Sequence, residues 1–145
     1  TIGTLDGANV EMHQVLGDEN MFLFGLKAEE AAALSRHYDP KLLYDRDPVL
    51  RRVLDSIRDG FRGGVSYEDI YRRVLFGGDC PAHQYLLLAD FVSYCDAGRR
   101  MMETYGDRTR WNQISLHNIA RSGVFAADRS IRDYARDIWH VPCRE

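Results

Sequence analysis

The residues best placed to support a ligand lie together near the start of the chain, at Gly3, Asp6, Gly7 and Asn9. They border a short apolar run, Thr1–Leu5, that predicts a buried strand, and Asp6-Gly7 is a turn dipeptide. In open α/β sheets, ligands gather near the carboxyl ends of strands, where such turns lie. The turn therefore has two interpretations. Either the four residues support a nearby ligand site, or the glycines serve tight backbone packing and Asp6 only caps the next helix.

Residue types that carry out covalent or metal chemistry show no spacing typical of a site. The histidines lack paired ligand spacing, so no metal site is predicted; they are His13, His37, His83, His117 and His140. Glu11 and His13 do not share a helix face, which argues against an acid–base pair. The only lysines, Lys27 and Lys41, are interpreted as solvated surface residues. No catalytic residue is assigned.

The composition is that of an ordinary soluble domain, with 45% hydrophobic residues, 28% charged residues and a net charge of −3 over 145 residues. This charge gives no electrostatic footprint for nucleic acid, and the longest apolar runs are too short to span a bilayer. The arginines alternate with acidic residues, which predicts a solvated face. No leader segment is recognised, and the cysteines lack Cys-x-x-Cys spacing, which favours reduced thiols in a cytoplasmic protein; they are Cys80, Cys95 and Cys143.

The elements that must position the turn are predicted as a strand–helix–strand unit in residues 1–26, followed by helices in 27–80 and in 81–145. The unit consists of a strand at Thr1–Leu5, a helix from Asn9 to Leu16 and a strand at Met21–Gly25, a spacing typical of a parallel crossover. Apolar periodicity and stop signals predict the other helices, at about 27–37, 48–60, 66–75, 90–106, 109–122 and 131–140. Asp39-Pro40 is interpreted as a break after the first of these, and Pro48, at a first-turn position, as the start of the next. Four side chains are expected to cap helices, those of Asp6, Ser66, Asp90 and Ser130.

Two strands do not make a stable sheet unaided, so further strands or a large covering surface are expected beside them. The chain also starts at Thr1, inside the strand pattern and without a methionine. We therefore expect the sequence to be a piece of a longer protein, the tail of an α/β domain.

Four separated blocks resemble the α-glucan phosphorylase family, in the same order. They are TIGTLDGANVEM and GDENMFLFGL within residues 1–26, YLLLADFVSYCDAGRRM at 85–101, WNQISLHNIARSGVFAADRSI at 111–131 and YARDIWHV at 134–141. The first block is the most specific, and only the middle, from roughly residue 27 to residue 82, matches weakly. The whole chain, 1–145, resembles the C-terminal portion of the cofactor-bearing domain of such an enzyme.

The resemblance implies a GT-B-type architecture, in which two Rossmann-like domains face each other across a cleft. It implies pyridoxal phosphate bound to a lysine, with the cofactor phosphate as acid–base partner of the substrate phosphate. The reaction implied is phosphorolysis of terminal α-1,4-glucosidic bonds, which releases glucose 1-phosphate. The full-length protein would then bind α-glucan and phosphate, include the missing N-terminal part of the same chain and form a homodimer. Neither nucleic acid nor membrane is an expected partner.

In the family, the cofactor lysine lies in a Gly-Thr-Gly-Asn-Met-Lys-Phe motif upstream of the TIGT run, and this chain lacks that motif. We therefore expect the chain alone to be inactive and to bind no cofactor covalently. The resemblance leaves the four turn residues a supporting role, holding the cofactor-bearing helix and loop. It also implies that the last helix, about 131–140, crosses back onto the N-terminal domain with Ile138 and Trp139 as anchors.

A second hypothesis is a stand-alone, mostly helical interaction module that has kept phosphorylase sequence while losing the chemistry. The missing lysine is expected under both hypotheses.

Overall fold

The computed structural model describes residues 1–61, 64–78, 81–82 and 85–142 of the chain. It begins with a strand β1, Ile2–Thr4, a helix α1, Ala8–Leu16, and a strand β2, Phe22–Phe24. The strands pair in parallel with Ile2 opposite Phe22 and Thr4 opposite Phe24. Gly17 ends α1 at a φ of 74°, a backbone conformation that favours glycine. The predicted strand–helix–strand unit is confirmed.

The described residues after β2 form helices joined by turns and loops. The helices are α2 at Ala28–Leu34, α3 at Pro40–Arg46, α4 at Pro48–Asp59, α5 at Glu68–Phe76, α6 at Phe91–Gly106, α7 at Arg108–Arg121 and α8 at Ala127–Tyr134. Short 3-10 turns lie at Asp18–Asn20, Leu87–Asp90 and Ser122–Phe125, and a π-helical turn follows α8 at Ala135–Trp139. A mostly helical chain with two short parallel strands agrees with the predicted α/β class.

Helix α3 has no counterpart in the sequence-based prediction, which treated Asp39-Pro40 only as a break. The carboxylate of Asp39 accepts hydrogen bonds from the backbone N–H groups of Lys41 and Leu42, and Pro40 occupies the first turn. Proline is favoured there because the N–H groups of the first helical turn have no acceptor within the helix, so the N–H that proline lacks costs no hydrogen bond. The same pair of residue types, Asp47 and Pro48, starts α4.

None of the four predicted side-chain caps forms as expected. They are the caps of Asp6, Ser66, Asp90 and Ser130. Ser130 lies inside α8. The Ser66 hydroxyl accepts the N–H of Glu68 at 3.2 Å, but α5 starts at Glu68 with Tyr67 in the N-cap position, so Ser66 lies one residue before that position. The carboxylates of Asp6 and Asp90 bond to groups outside their helices, because each has a competing partner brought close by the fold.

The last predicted helix, 131–140, is wrong in its bounds. Helix α8 starts earlier, at Ala127, and the wider π-helical turn replaces its end from Ala135 onward. Ala135 is buried, whereas Ile138 and Trp139, the expected anchors, are 63% and 55% exposed. The side chains expected to bridge domains therefore face solvent in this chain.

The largest core lies between α4, α5 and the 3-10 turn at Leu87–Asp90, where Leu50, Leu54, Leu75 and Leu88 are buried together. A second contact zone joins α6 and α7 to β2 through ring pairs of Phe24 with Tyr94 and of Phe22 with Trp111. The accessible surface of the chain is 10894 Å². A compact monomer of its mass would expose about 7,600 Å². The chain therefore exposes about 3,000 Å² more than a compact monomer, and many large apolar side chains are among its exposed residues.

Among the described residues, no helix is both long and apolar enough to cross a bilayer.

Candidate functional site

The four residues singled out in the sequence lie around one turn that joins β1 to α1. The side-chain amide of Asn9 donates to the Thr4 carbonyl oxygen at 2.8 Å. Gly3 makes room for this amide, since a Cβ on Gly3 would lie 2.6 Å from Asn9 Nδ2, closer than real Cβ contacts. Gly7 precedes α1 with a φ of 47°. The structure therefore brings the predicted turn residues together and fixes the Asn9 side chain over β1.

Asp6 points out of the turn rather than over the helix that follows. Its Oδ1 accepts the hydroxyl hydrogen of Thr4 at 2.9 Å, and the side chain is exposed. The first backbone contact of α1 is made by the Asp6 carbonyl, which accepts the N–H of Asn9 at 3.0 Å. The carboxylate is therefore available to a group outside the turn, and its predicted role as a cap is wrong.

The end of β2 is fastened to α6 by two long-range hydrogen bonds. The N–H of Gly25 donates to Ser93 Oγ at 3.0 Å, and the N–H of Leu26 donates to Asp90 Oδ1 at 2.9 Å. A Cβ on Gly25 would lie 2.9 Å from Thr4 Cγ2 and 3.1 Å from Asp90 Oδ2. Asp90 and Thr4 are therefore neighbours at the carboxyl ends of the two strands. Sequence reasoning missed this role of Asp90, because its partner is 64 residues away.

The backbone before Asp90 is held by a half-buried tyrosine. Tyr38 Oη accepts the N–H of Leu88 at 3.0 Å. Burial raises the pKa of Tyr38, partly offset by the hydrogen bond from Leu88 and reinforced by the negative charge of Asp90. The neutral phenol therefore keeps the 3-10 turn, and with it the Asp90 carboxylate, in place.

These residues border an open cleft of about 490 Å³ at the carboxyl ends of the strands. Thr4, Asp6 and Asp90 supply polar groups on its wall, and aliphatic or aromatic side chains supply the rest: Phe24, Leu50, Val53, Leu54, Tyr85, Leu87, Leu88, Phe91 and Tyr94. Concave, mostly apolar sites with a few converging polar groups are typical of ligand or segment binding. This cleft is the candidate functional site.

The cleft does not fit the cofactor that the family resemblance implies. A Schiff base needs a lysine, and a cofactor phosphate needs basic groups or free backbone N–H donors. Lys27 and Lys41 are exposed and do not line the cleft. The charged residues of its described wall are the carboxylates of Asp6 and Asp90, which repel a phosphate. The described wall of this cleft therefore does not fit pyridoxal phosphate.

The histidines and cysteines form no further centre in the described part of the chain. Within those residues, no group of three His, Cys, Asp or Glu side chains could hold a metal. His13 Nε2 lies 2.6 Å from Asp18 Oδ1, and His140 Nδ1 lies 3.0 Å from the carbonyl oxygen of Arg136. Cys95 is an exposed free thiol, whereas Cys80, His83 and Cys143 lie outside the described residues.

Five of the arginines fall into two groups, only one of which the sequence predicted. Arg99, Arg129 and Arg136 form exposed ion pairs with nearby carboxylates, as the alternating charges indicated. Arg100 and Arg110 instead donate to backbone carbonyls of Leu23 and Glu19, at 2.9 Å in both cases. These two side chains bind α6 and α7 to the β2 region. No local pattern reveals this role.

Comparison with known proteins finds one matching family model and several similar relatives. The family model described as carbohydrate phosphorylase matches residues 1–141. Glycogen phosphorylase from Chlamydia pneumoniae is 42% identical over 99% of the chain, and that from Bacillus subtilis is 39% identical over 97%. The liver form from Homo sapiens is 38% identical over 97%. The aligned region covers 17%, 18% and 16% of these relatives, so the chain spans about a sixth of their length.

Proposed function

Since this chain belongs to the carbohydrate phosphorylase family, we propose that it is the C-terminal part of an α-glucan phosphorylase and acts there as scaffold. The observation that carries the proposal is the family match over residues 1–141, which spans only about a sixth of each relative. The full protein would catalyse phosphorolysis of terminal α-1,4-glucosidic bonds and release glucose 1-phosphate. It would be a cytoplasmic homodimer of GT-B architecture.

In this proposal the chain supplies the last two strands and the covering helices of the cofactor-bearing domain. The parallel pairing of β1 with β2 supports this, because a two-stranded parallel sheet needs further strands for stability. The unburied surface supports it as well, since its excess of about 3,000 Å² exceeds a standard protein–protein interface. The exposed side chains Ile138 and Trp139 would then bridge to the N-terminal domain.

The pyridoxal phosphate of the full enzyme would be held by residues outside this chain and would supply the acid–base phosphate group. The role left to Gly3, Asp6, Gly7 and Asn9 is mechanical. Through the Asn9–Thr4 and Thr4–Asp6 hydrogen bonds they would fix the carboxyl end of β1, beside which the cofactor-bearing segment would pack. The chain alone should have no activity, because neither lysine lies in a site that could form the Schiff base.

A stand-alone interaction module is the second candidate, and the exposed apolar side chains of α8 and of the π-helical turn that follows it favour this hypothesis. Tyr134 and Trp139 form an edge-on pair at 6.0 Å, with Ile131 and Ile138 exposed on the same segment. Such patches mark binding surfaces in stable monomers as well as in fragments. The isolated chain distinguishes the two candidates. Both should unfold cooperatively in dilute solution, but a module should stay monomeric and bind little hydrophobic dye as its concentration rises, whereas a fragment should bind dye and associate.

The direct test is a chimera in which this chain replaces the matching segment of Bacillus subtilis glycogen phosphorylase. We expect the chimera to release glucose 1-phosphate from glycogen and phosphate, and the isolated chain to release none. Gly3→Ala should lower the activity of the chimera, whereas Gly98→Ala, where an added Cβ meets no atom within 4 Å, should not. A folded chimera without activity would refute the scaffold role, and an active isolated chain would refute the predicted inactivity.

A further inference from the structure

The candidate cleft combines an apolar wall with two carboxylates at one end. The wall is built from β2, α4, the 3-10 turn at Leu87–Asp90 and α6, and the acidic end is formed by Asp6 and Asp90. A Cβ added to Gly25 would lie about 3 Å from both Thr4 Cγ2 and Asp90 Oδ2, so Asp90 lies next to Thr4. Asp6 accepts a hydrogen bond from the hydroxyl of the same threonine. Both carboxylates therefore neighbour Thr4.

The negative charge at this end is not neutralised within the described chain. Asp6 Oδ1 accepts the Thr4 hydroxyl and Asp90 Oδ1 accepts the Leu26 N–H, which leaves the second oxygen of each carboxylate. Over the described residues, no arginine, lysine or histidine lines the cleft or forms an ion pair with either aspartate. Two like charges at the edge of an apolar surface repel each other, and a cation placed between them relieves the repulsion.

Several apolar side chains of the cleft wall are strongly exposed in this chain, which is typical of a surface that binds another group. Val53, Tyr94 and Leu87, which all line the cleft, are 40%, 51% and 58% exposed. Aliphatic and aromatic side chains together form most of the wall, and its acidic end repels phosphate, so an apolar polypeptide segment fits better than a nucleotide. A basic residue within that segment supplies the complementary charge.

We propose that this cleft is the docking site for a polypeptide segment of the same phosphorylase that lies outside these residues. The segment places apolar side chains against Val53 and Leu87 and an arginine or lysine between Asp6 and Asp90. The inference rests on the proposed function, because it takes the occupant from the five-sixths of each relative that this chain does not match.

The chemistry of the cleft can be tested on the 145-residue chain, isotope-labelled for NMR. The probes are the capped tripeptides leucine-arginine-leucine and leucine-glutamate-leucine. We expect only the arginine peptide to shift the amide signals of Asp6, Phe24 and Leu26, with binding at least about tenfold tighter than for the glutamate peptide. This binding should weaken as NaCl rises from about 0.05 M to about 1 M. Equal binding of the two peptides, or shifts elsewhere, would overturn the proposal.

Isosteric variants separate charge from structure. In Asp6→Asn/Asp90→Asn each side chain keeps the oxygen that accepts its hydrogen bond, so the fold is retained while two charges are removed. We expect about tenfold weaker binding of the arginine peptide. The control Glu29→Gln/Asp69→Asn removes two exposed charges outside the cleft and should leave binding unchanged. Equal affinities of the two double variants would contradict the proposal.

The identity of the occupant is tested in the chimera with a photo-reactive benzoylphenylalanine at Val53 or, as control, at Val49. Both are exposed valines of α4, but only Val53 lines the cleft. We expect Val53 to cross-link to a segment of the Bacillus subtilis portion that contains arginine or lysine. Cross-links to a second copy, or no more than from Val49, would overturn the docking proposal even in an active chimera. An inactive chimera with intact arginine-peptide binding would count against the proposed function instead.

Discussion

Replacing Gly3 with alanine should destabilise the chain through one contact, that with Asn9. The added Cβ would lie 2.6 Å from Asn9 Nδ2 and 3.3 Å from its Cγ, so the amide must move and lose its 2.8 Å bond to the Thr4 carbonyl. A broken, partly buried hydrogen bond costs about 1–3 kcal/mol. The lower unfolded-state entropy of alanine returns about 0.4–1 kcal/mol. We therefore expect Gly3→Ala to lower the free energy of unfolding by about 1–2 kcal/mol.

A double-mutant cycle isolates this contact. Asn9→Ala alone should cost about 1 kcal/mol, because the Thr4 carbonyl loses its donor. In the Asn9→Ala background the Cβ has room, so Gly3→Ala should then cost nothing or stabilise slightly. Urea unfolding followed by circular dichroism measures all four proteins, and Gly98→Ala in α6, a helix-interior site with free space, should stabilise by about 0.5–1 kcal/mol. An equal cost of Gly3→Ala in both backgrounds would refute the reasoning.

Three further predictions concern groups that hold the helices in place. Tyr38→Phe should cost about 1–2 kcal/mol by leaving the Leu88 N–H without its acceptor. The pKa of Tyr38 is raised above 10.0 in the folded state, so its contribution to the free energy of unfolding is present below pH 10.0 and is lost as pH rises through the folded pKa. The stability of Tyr38→Phe, measured by unfolding at alkaline pH, should lack that loss. In urea unfolding, Arg100→Met should lower the free energy of unfolding by about 0.5–1.5 kcal/mol, because it removes the hydrogen bond to the Leu23 carbonyl. The control is Arg99→Met, which removes only exposed ion pairs that contribute little. A cost of Arg100→Met no larger than that of the control would contradict this prediction. A hydrogen bond from Arg136 lowers the pKa of Asp137 below 3.8, so the stabilisation by Asp137 is present above pH 3.8 and is lost as pH falls through the folded pKa. Asp137→Asn should therefore reduce the loss of stability at acidic pH. The same loss of stability in the variant would argue against the Arg136–Asp137 pair.

The sequence-based predictions were correct for the elements whose formation depends on neighbouring residues. The glycine-bounded runs gave β1 and β2, and the periodicity of α4 and α6 gave helices close to those observed. Helix α3 was missed because Asp39-Pro40 was treated only as a break, although the same dipeptide type was used correctly at Pro48. Helix α3 could have been predicted, because Asp39 and Pro40 form the same helix-start signal as Asp47 and Pro48.

The sequence by itself determined the family, the α/β class and the cluster of Gly3, Asp6, Gly7 and Asn9, because motif identity and turn chemistry are local. Only the tertiary structure decided where the carboxylate of Asp90 points. As a cap it would have bonded within its own helix, but folding brings it to the Leu26 N–H, 64 residues away. A short polar side chain bonds to whichever donor packing brings near, and for this reason the acidic cleft could not be predicted from the sequence.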